Sequence, residues 1–185
     1  MKGMRGAEAI VTKDFFLGRP VVVKNRISKK YRIAELDSFL RKSRTRIEAR
    51  LLNKAKIAGV DCPTVLKVDD FSITMSYIPG KRPKIGEREA KEAGRILARL
   101  HDAHVVHGDF TPANLLQNGK KLFVIDFGLG FFSNYIEDKA VDVYTMLRTL
   151  DATAQREFLK AYRNSKTSHL VFKRIEEISK RVRYA

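Results

Sequence analysis

His107-Gly108-Asp109-Phe110-Thr111-Pro112-Ala113-Asn114, followed closely by Asp126-Phe127-Gly128, is the part of the chain that decides its reading. Asn114 stands five residues after Asp109. Between Asn114 and Asp126, Leu115-Leu116-Gln117 and Leu122-Phe123-Val124-Ile125 flank Asn118-Gly119. Apolar runs around Asn-Gly predict a β-hairpin with a type I′ turn. Asp109 is a carboxylate able to take the proton of an attacking hydroxyl or to orient a water. Asn114 and Asp126 offer oxygen ligands that suit a hard cation such as Mg²⁺.

Upstream, the chain supplies what such a loop would work with. Ala9 to Phe16 is β-prone, Leu17-Gly18-Arg19-Pro20 reads as a turn, and Val21-Val22-Val23 is a second strand closed by Lys24. A helical stretch covers Ile33 to Ala58, with a break expected near Ser43; Ile47, Leu51, Leu52 and Ala55 recur at helical spacing, and Gly59 ends it. Val65–Val68 and Ile73–Tyr77 read as further strands. A Gly-containing start, a Lys closing an apolar strand, a helix with Glu, His-x-Asp with Asn, and Asp-Phe-Gly follow the order of the protein-kinase signature set. Each position then has a task in phosphoryl transfer from ATP. Lys24 places an ammonium on the phosphates, and Glu48 holds Lys24. Glu35 competes with Glu48 for that pairing. Taken singly, Lys24 is a strand end meeting water and Asp-Phe-Gly is a turn; their conjunction carries the argument.

The remaining sequence sets the frame. The 185 residues (21.2 kDa) make one domain, built as two small lobes, residues 1–78 and 79–185, parted after Ile78. Glu87–Ala103 is a helix with Ala93, Ile96, Leu97 and Leu100 on one face, and helices are expected over Asp138–Thr149, Ala152–Tyr162 and Leu170–Val182. Lys plus Arg number 37 against 21 Asp plus Glu, a formal net charge of +16, which predicts a polyanionic neighbour. Twelve basic and three acidic residues between Lys24 and Lys56 leave +9 of it there. With Tyr31 among them and a second cluster at Lys180-Arg181-Val182-Arg183, phosphate-backbone contacts of RNA are expected, although a basic helix face is often only solvated. Cys62 alone excludes an intrachain disulfide and a Cys-rich zinc site. No run of about 18 apolar residues exists, so no membrane span is expected, and a cytoplasmic compartment is the default.

Over nearly the whole chain the sequence resembles the small atypical kinase subunit of the KEOPS complex. The stretches that carry this are Gly6-Ala7-Glu8-Ala9, Lys29-Lys30-Tyr31-Arg32, Arg44-Thr45-Arg46-Ile47-Glu48-Ala49-Arg50, His107-Gly108-Asp109-Phe110-Thr111, Ile125-Asp126-Phe127-Gly128-Leu129 and Glu137-Asp138-Lys139-Ala140-Val141-Asp142. The resemblance implies an ATPase and Ser/Thr protein kinase that binds the Kae-type threonylcarbamoyl transferase and other KEOPS subunits, and supports threonylcarbamoyladenosine formation on tRNA. It implies catalytic roles for Asp109 and Lys24. ATP positions would be Gly3, Gly6, Ala7, Glu8, Lys24, Glu48, Asn114 and Asp126, with Mg²⁺ on Asn114 and Asp126. Asp142 would brace the catalytic-loop backbone, and tRNA would meet the basic helix region and the tail.

Departures from the wider kinase pattern narrow the expected activity. Gly108 stands where an Arg reads activation-loop phosphate, and Thr111 where many kinases have a Lys. The nucleotide loop keeps only Gly3 and Gly6. Gly128 to Asp138 spans ten positions, with no Ala-Pro-Glu after it. This leaves no room for a long activation segment. Met75 would lie beside the adenine, with backbone groups of Ser76 and Ile78 bonding its edge. His101, His104 and His107 recur every three residues but lack an obvious carboxylate or Cys partner, and Cys62 reads as a packing residue.

The expected fold is α+β: a reduced bilobal protein-kinase-like domain, a small sheet with helices above a truncated, mainly helical lobe, with ATP in the cleft. Alternatives are a RIO-type or other atypical kinase, or a non-catalytic basic scaffold for RNA or protein.

Overall fold

The computed structural model describes residues 4–5 and 8–183, with side chains for 8–178. Five strands, β1 (Met4–Arg5), β2 (Ala9–Phe16), β3 (Arg19–Arg26), β4 (Val65–Val68) and β5 (Ser72–Ser76), form an antiparallel sheet in the order β1-β2-β3-β5-β4. β2 pairs with β3 from Ala9↔Arg26 to Phe16↔Arg19, so the joining loop is only Leu17-Gly18. Both residues have positive φ, 50° and 72°, as a type I′ turn demands. The expected four-residue turn is therefore shorter, and Arg19 and Pro20 already belong to β3. Pro20 has no N–H to give, so it sits near the strand's start, where its carbonyl accepts from the Tyr77 N–H at 3.3 Å.

The second hairpin differs in the opposite sense. In β7 (Leu115–Asn118) and β8 (Lys121–Val124), Asn118 pairs with Lys121, so the loop is Gly119-Lys120. Only Gly119 has positive φ, 57°. A glycine in the first loop position belongs to the II′ pattern, not the I′ turn that Asn-Gly suggests.

Helix α1 (Ala34–Ile57) runs unbroken through Ser43. The apolar stripe fades there because the inner face of its first half is polar. Asp37, Thr45 and Glu48 are buried, and Leu51, Leu52 and Ala55 take over only afterwards. Gly59, at φ 75°, turns the chain away, donating its N–H to Lys56 O.

The second part is helical: α2 (Glu87–Asp102), α3 (Ile136–Leu147), α4 (Ala152–Tyr162) and α5 (Ser168–Arg183). α3 and α5 each begin two residues before the expected start. α2 lies against α4 at close range because Gly94 has no Cβ; one added there would stand 2.3 Å from the Phe158 carbonyl oxygen. Asp151 starts α4, its carboxylate accepting the Ala154 N–H at 2.8 Å. Three short strands are absent from the sequence reading: β1, and the pair β6 (Val105–Val106) and β9 (Phe131–Phe132), which join across the loop region. One continuous core joins Leu51, Leu52 and Ile73 of the sheet side to Leu97, Leu100, Phe110, Phe127, Val143 and Phe158. Each such side chain contributes about 1.5–3 kcal/mol on burial. Cys62 belongs to this core, its thiol pushed up to about 11 by burial. Among the described residues, no helix is long and apolar enough to cross a membrane.

Candidate active site

Lys24 leaves β3 on the face turned towards α1. Its Nζ lies 2.6 Å from Glu48 Oε1 and 2.7 Å from Asp126 Oδ1. The helix carboxylate that meets it is Glu48, not Glu35. Asp126 follows β8 in the left-handed region, φ 62°, a conformation that Asp tolerates better than most residues. Its Oδ1 also accepts the Gly128 N–H at 3.1 Å. Burial alone would raise the Asp126 carboxyl, but the Lys24 charge and hydrogen bond, with the Gly128 N–H, outweigh it and hold the group below the usual carboxylate range. Gly128 keeps this corner open: a Cβ would stand 2.9 Å from Asp126 Oδ1 and 3.1 Å from Lys24 Nζ.

The loop from His107 to Asn114 is held from behind. Asp142, buried on α3, accepts the His107 N–H at 2.6 Å with Oδ2 and the Gly108 N–H at 2.9 Å with Oδ1. That is the bracing role the resemblance implied. Burial lowers the His107 pKa, so the ring is neutral at neutral pH. Nε2–H then donates to Ile125 O at 3.1 Å, leaving Nδ1 to accept the Asp109 N–H at 3.4 Å. His107 also packs on Phe127, ring centroids 4.8 Å apart. A short 3₁₀ turn (Pro112–Asn114) then swings Asn114 back, so that its Nδ2 donates to Asp109 O (2.9 Å) and Oδ2 (2.8 Å). That arrangement leaves the Asn114 amide oxygen as its remaining acceptor.

Gly108 is required by its surroundings. Its φ is 80°, and a Cβ would stand 2.4 Å from the Leu129 carbonyl oxygen. An Arg cannot occupy this position without moving the segment after Asp-Phe-Gly.

Arg26 and Asp37 carried no role in the sequence reading, and Glu8, read there as an ATP position, is engaged by two arginines. Arg26, two residues after Lys24 on the same strand face, ion-pairs with Glu48 Oε2 and reaches Glu8 Oε2 at 3.5 Å. Strand alternation from Lys24 was the available signal. Glu8 Oε1 lies 2.5 Å from Arg44 Nη1. Asp37 accepts from Arg41 Nε at 2.7 Å and from the Lys29 N–H at 3.1 Å. The three spaced histidines part company. His107 belongs to the loop, His101 is buried between Asp142 (3.4 Å) and the Tyr162 hydroxyl (2.6 Å), and His104 follows α2 at φ 61°. Ser76 gives its N–H to Thr64 O at 2.9 Å. The expectations for Gly3, Gly6 and Ala7, and for the side chains of Lys180, Arg181 and Arg183, lie outside the described residues.

The structure also shows where the basic segment spends its charge. Lys24, Arg26, Arg41, Lys42 and Arg44 are committed to Glu48, Glu8, Asp37, Asp70 and Asp126. Arg46, Arg50 and Lys54, four apart on α1, are exposed.

Against this geometry, the RIO domain family matches residues 19–131, more than half of the chain. The KEOPS complex subunit Bud32 of Pyrococcus abyssi is 40% identical over 185 residues, covering 89% of this chain and 84% of that protein. The chain belongs to the Bud32 family of RIO-domain proteins. The family that the sequence resembled and the RIO-type alternative thus coincide. A probable bifunctional tRNA threonylcarbamoyladenosine biosynthesis protein of Methanosarcina acetivorans is 38% identical over 190 residues, covering 97% of this chain and 35% of that protein. The chain therefore spans about a third of the length of such bifunctional relatives. Among solved structures, the Rio2 kinase–ADP/Mg²⁺–phosphoaspartate complex of Chaetomium thermophilum superposes with a TM-score of 0.68 at 14% identity, over 100% of this chain and 71% of that one. The fold is accordingly the reduced, kinase-like α+β fold of RIO proteins.

Proposed function

We propose that this RIO-domain chain is an ATP-dependent Ser/Thr protein kinase or ATPase that works as a KEOPS subunit in threonylcarbamoyladenosine modification of tRNA. The observation that carries the chemistry is the convergence of Lys24, Glu48 and Asp126 within 2.6–2.7 Å contacts, beside Asp109 and Asn114 hydrogen-bonded to each other. ATP would lie between the lobes 1–78 and 79–185. The Ser76 carbonyl and the Ile78 N–H would meet the adenine edge, and Gly3, Gly6 and Ala7 would cover the phosphates.

The residues fit a magnesium nucleotide. Asp126 stays ionised well below neutrality, Asn114 is oriented by its own amide bonds, and a glycine follows Asp126 where a side chain would intrude. When bound, Mg²⁺ would offset charge on the phosphate oxygens through Asn114 and Asp126. Lys24 contributes a fixed positive charge at the phosphates, and Glu48 keeps it from following Asp126 alone. Asp109 takes the proton of an attacking hydroxyl or orients a water.

The names of the relatives support the assembly reading, with a Kae-type transferase and other KEOPS subunits as partners. Exposed Tyr31, Ile33, Leu36 and Phe39 around the start of α1 support a protein partner there. The exposed Arg46, Arg50 and Lys54 ridge supports tRNA phosphate contacts, together with the tail, and a cytoplasmic setting follows from that role. Such contacts position RNA without reading bases.

Radiolabelled ATP tests the chemistry. Asp109→Asn should abolish phosphate release and autophosphorylation while equilibrium nucleotide binding persists, and Asp126→Ala should lose the Mg²⁺-dependent part of binding. Wild-type turnover in Asp109→Asn would overturn the assignment.

A further inference from the structure

Glu48 has two oxygens and two cationic partners. Oε1 meets Lys24 Nζ at 2.6 Å, and Oε2 is held by the Arg26 guanidinium. All three side chains are buried, Glu48 at 2% and Arg26 at 4% exposure. Lys24 and Arg26 are two apart on β3, so both reach the same side of the sheet. Arg26 does not end at Glu48: its Nη1 reaches Glu8 Oε2 at 3.5 Å, and Glu8 Oε1 is held by Arg44 at 2.5 Å. Arg44 and Glu48 are four apart on α1, hence neighbours on one helix face. Glu8 directly precedes β2, and its carbonyl accepts the Ile27 N–H at 3.3 Å, next to Arg26. The result is a continuous charged chain, Arg44–Glu8–Arg26–Glu48–Lys24–Asp126, running from the segment before β2 to the Asp of Asp-Phe-Gly.

Geometry decides what the second cation does. A carboxylate bonded to Lys24 alone can rotate about χ3, and Lys24 can then follow Asp126, 2.7 Å away. A guanidinium fork on the other oxygen fixes the plane of the carboxylate, which a point charge cannot do. We infer that Arg26 is a positioning residue of the phosphoryl-transfer site: it locks Glu48 so that Lys24 is presented to the nucleotide, and through Glu8 it ties that lock to the segment leading into β2. The inference rests on the reading of Lys24 and Glu48 as nucleotide-site residues.

The test uses the full chain with Arg26→Gln, Arg26→Lys and Glu8→Gln, each alone and combined with Glu48→Gln, and Glu8→Gln also combined with Arg26→Gln and with Arg26→Lys. ATP turnover, equilibrium binding of a fluorescent Mg²⁺–ATP analogue and thermal unfolding are measured on every protein. Misplacing a catalytic group by about 1 Å costs about a hundredfold. Arg26→Gln should therefore lower turnover about ten- to a hundredfold while nucleotide affinity changes by less than about threefold. In the Glu48→Gln background the same substitution should cost less than about threefold more, because Arg26 acts through Glu48. Arg26→Lys should fall between wild type and Arg26→Gln. Glu8→Gln, on a partly exposed side chain, should lower turnover a few-fold, and that loss should disappear once Arg26 is Gln or Lys.

A loss that is undiminished in the Glu48→Gln background overturns the inference. So does an Arg26→Gln protein that melts earlier yet turns over normally per folded molecule. If Arg26→Gln does not fold, the Arg26→Lys and Glu8→Gln pair decides by the same criterion. Lys24→Ala separates the two layers. Normal turnover in Lys24→Ala refutes the underlying site, whereas a strong loss there with unaffected Arg26 variants refutes only the role of Arg26.

Discussion

Replacing Gly108 by Ala should damage both the fold and the catalytic loop, and the structure gives the size of each effect. Gly108 has φ 80°, where an L-residue with a Cβ costs about 1–2 kcal/mol. The new Cβ would start 2.4 Å from Leu129 O and 2.8 Å from Leu129 C. An ordinary C···O contact is about 3.3 Å, so something must yield by about 0.9 Å. Overpacking of this kind costs about 1–3 kcal/mol. Together the two terms remove about 2–5 kcal/mol, which in a chain of this size lowers Tm by roughly 5–20 °C. If the loop moves instead of Leu129, Asp109 moves with it, and turnover falls about a hundredfold for a shift near 1 Å. Gly18→Ala is the matched control, because Gly18 has φ 72° with nothing within 4 Å of a new Cβ. It isolates the backbone term and should leave turnover unchanged. Calorimetry and phosphate release on both variants complete the comparison. Equal destabilisation by the two substitutions would refute the argument from Leu129.

Three further outcomes are expected. Leu17→Asn should stabilise the chain by about 0.5–1 kcal/mol, since Leu17 is 86% exposed and held at φ 50° in a I′ turn that favours Asn; a lower urea midpoint would contradict this. Asp142→Ala should cost about 2–4 kcal/mol, because it leaves the buried His107 N–H and the more exposed Gly108 N–H without their acceptor; denaturant unfolding reads it, and a cost below about 1 kcal/mol would mean the loop is not braced there. Acidification should destabilise the fold before the carboxylates titrate. Burial holds the His101 and His107 pKa values below 6.5, so the unfolded chain takes up protons first, and stability is full above about pH 6.5 and lost below it. Urea midpoints at about pH 7.5 and 5.5, in about 0.5 M salt to screen general repulsion, should fall; a flat profile would refute the neutral-histidine assignment.

What was legible in the sequence follows from what kind of force fixes each element. Helices α2 and α4 and the strands β2, β3, β4 and β5 announce themselves by apolar residues, because apolar burial forms them, whereas the two-residue β1 does not. The first half of α1 does not, because ion pairs of Asp37, Arg41, Arg44 and Glu48 hold its inner face, and periodicity scales read those residues as surface. That is why a break near Ser43 was expected where none exists. Turn chemistry misled twice for one reason: strand register, set by long-range pairing, chose the loop residues. It made Leu17-Gly18 the tight turn and pulled Asn118 into β7. The chemical side chains were legible as a spaced motif, and the structure places Glu48, the carboxylate read from the sequence, and not its competitor Glu35 against Lys24. Arg26 was not legible, and Glu8 was named only as an ATP position, since their pairing is a contact across 18 residues that no local pattern encodes.

The short segment after Asp-Phe-Gly explains why a glycine stands at 108. In that segment the Gly130 N–H bonds Phe127 O at 2.9 Å, Phe131 and Phe132 pair with Val106 and Val105, and the Ser133 N–H bonds His104 O at 3.0 Å. Ser133 Oγ then donates to Asp138 Oδ2 at 2.5 Å, at the start of α3. A Cβ at Gly130 would meet Leu51 Cδ1 at 2.9 Å, so the segment lies directly on the helix that carries Glu48. Pinned this way, the Leu129 carbonyl occupies the volume beside residue 108 where an arginine side chain would have to begin. An arginine there reads phosphate on a mobile segment, and here the segment is already tied to β6, α1 and α3. Its two hydroxyl residues differ sharply, with Ser133 buried in its own hydrogen bonds and Tyr135 exposed at 77%. A phosphate on Tyr135 would project into solvent, and Gly108 has no side chain to receive it. The volume that a loop arginine needs is thus taken by the backbone of the segment it would otherwise read.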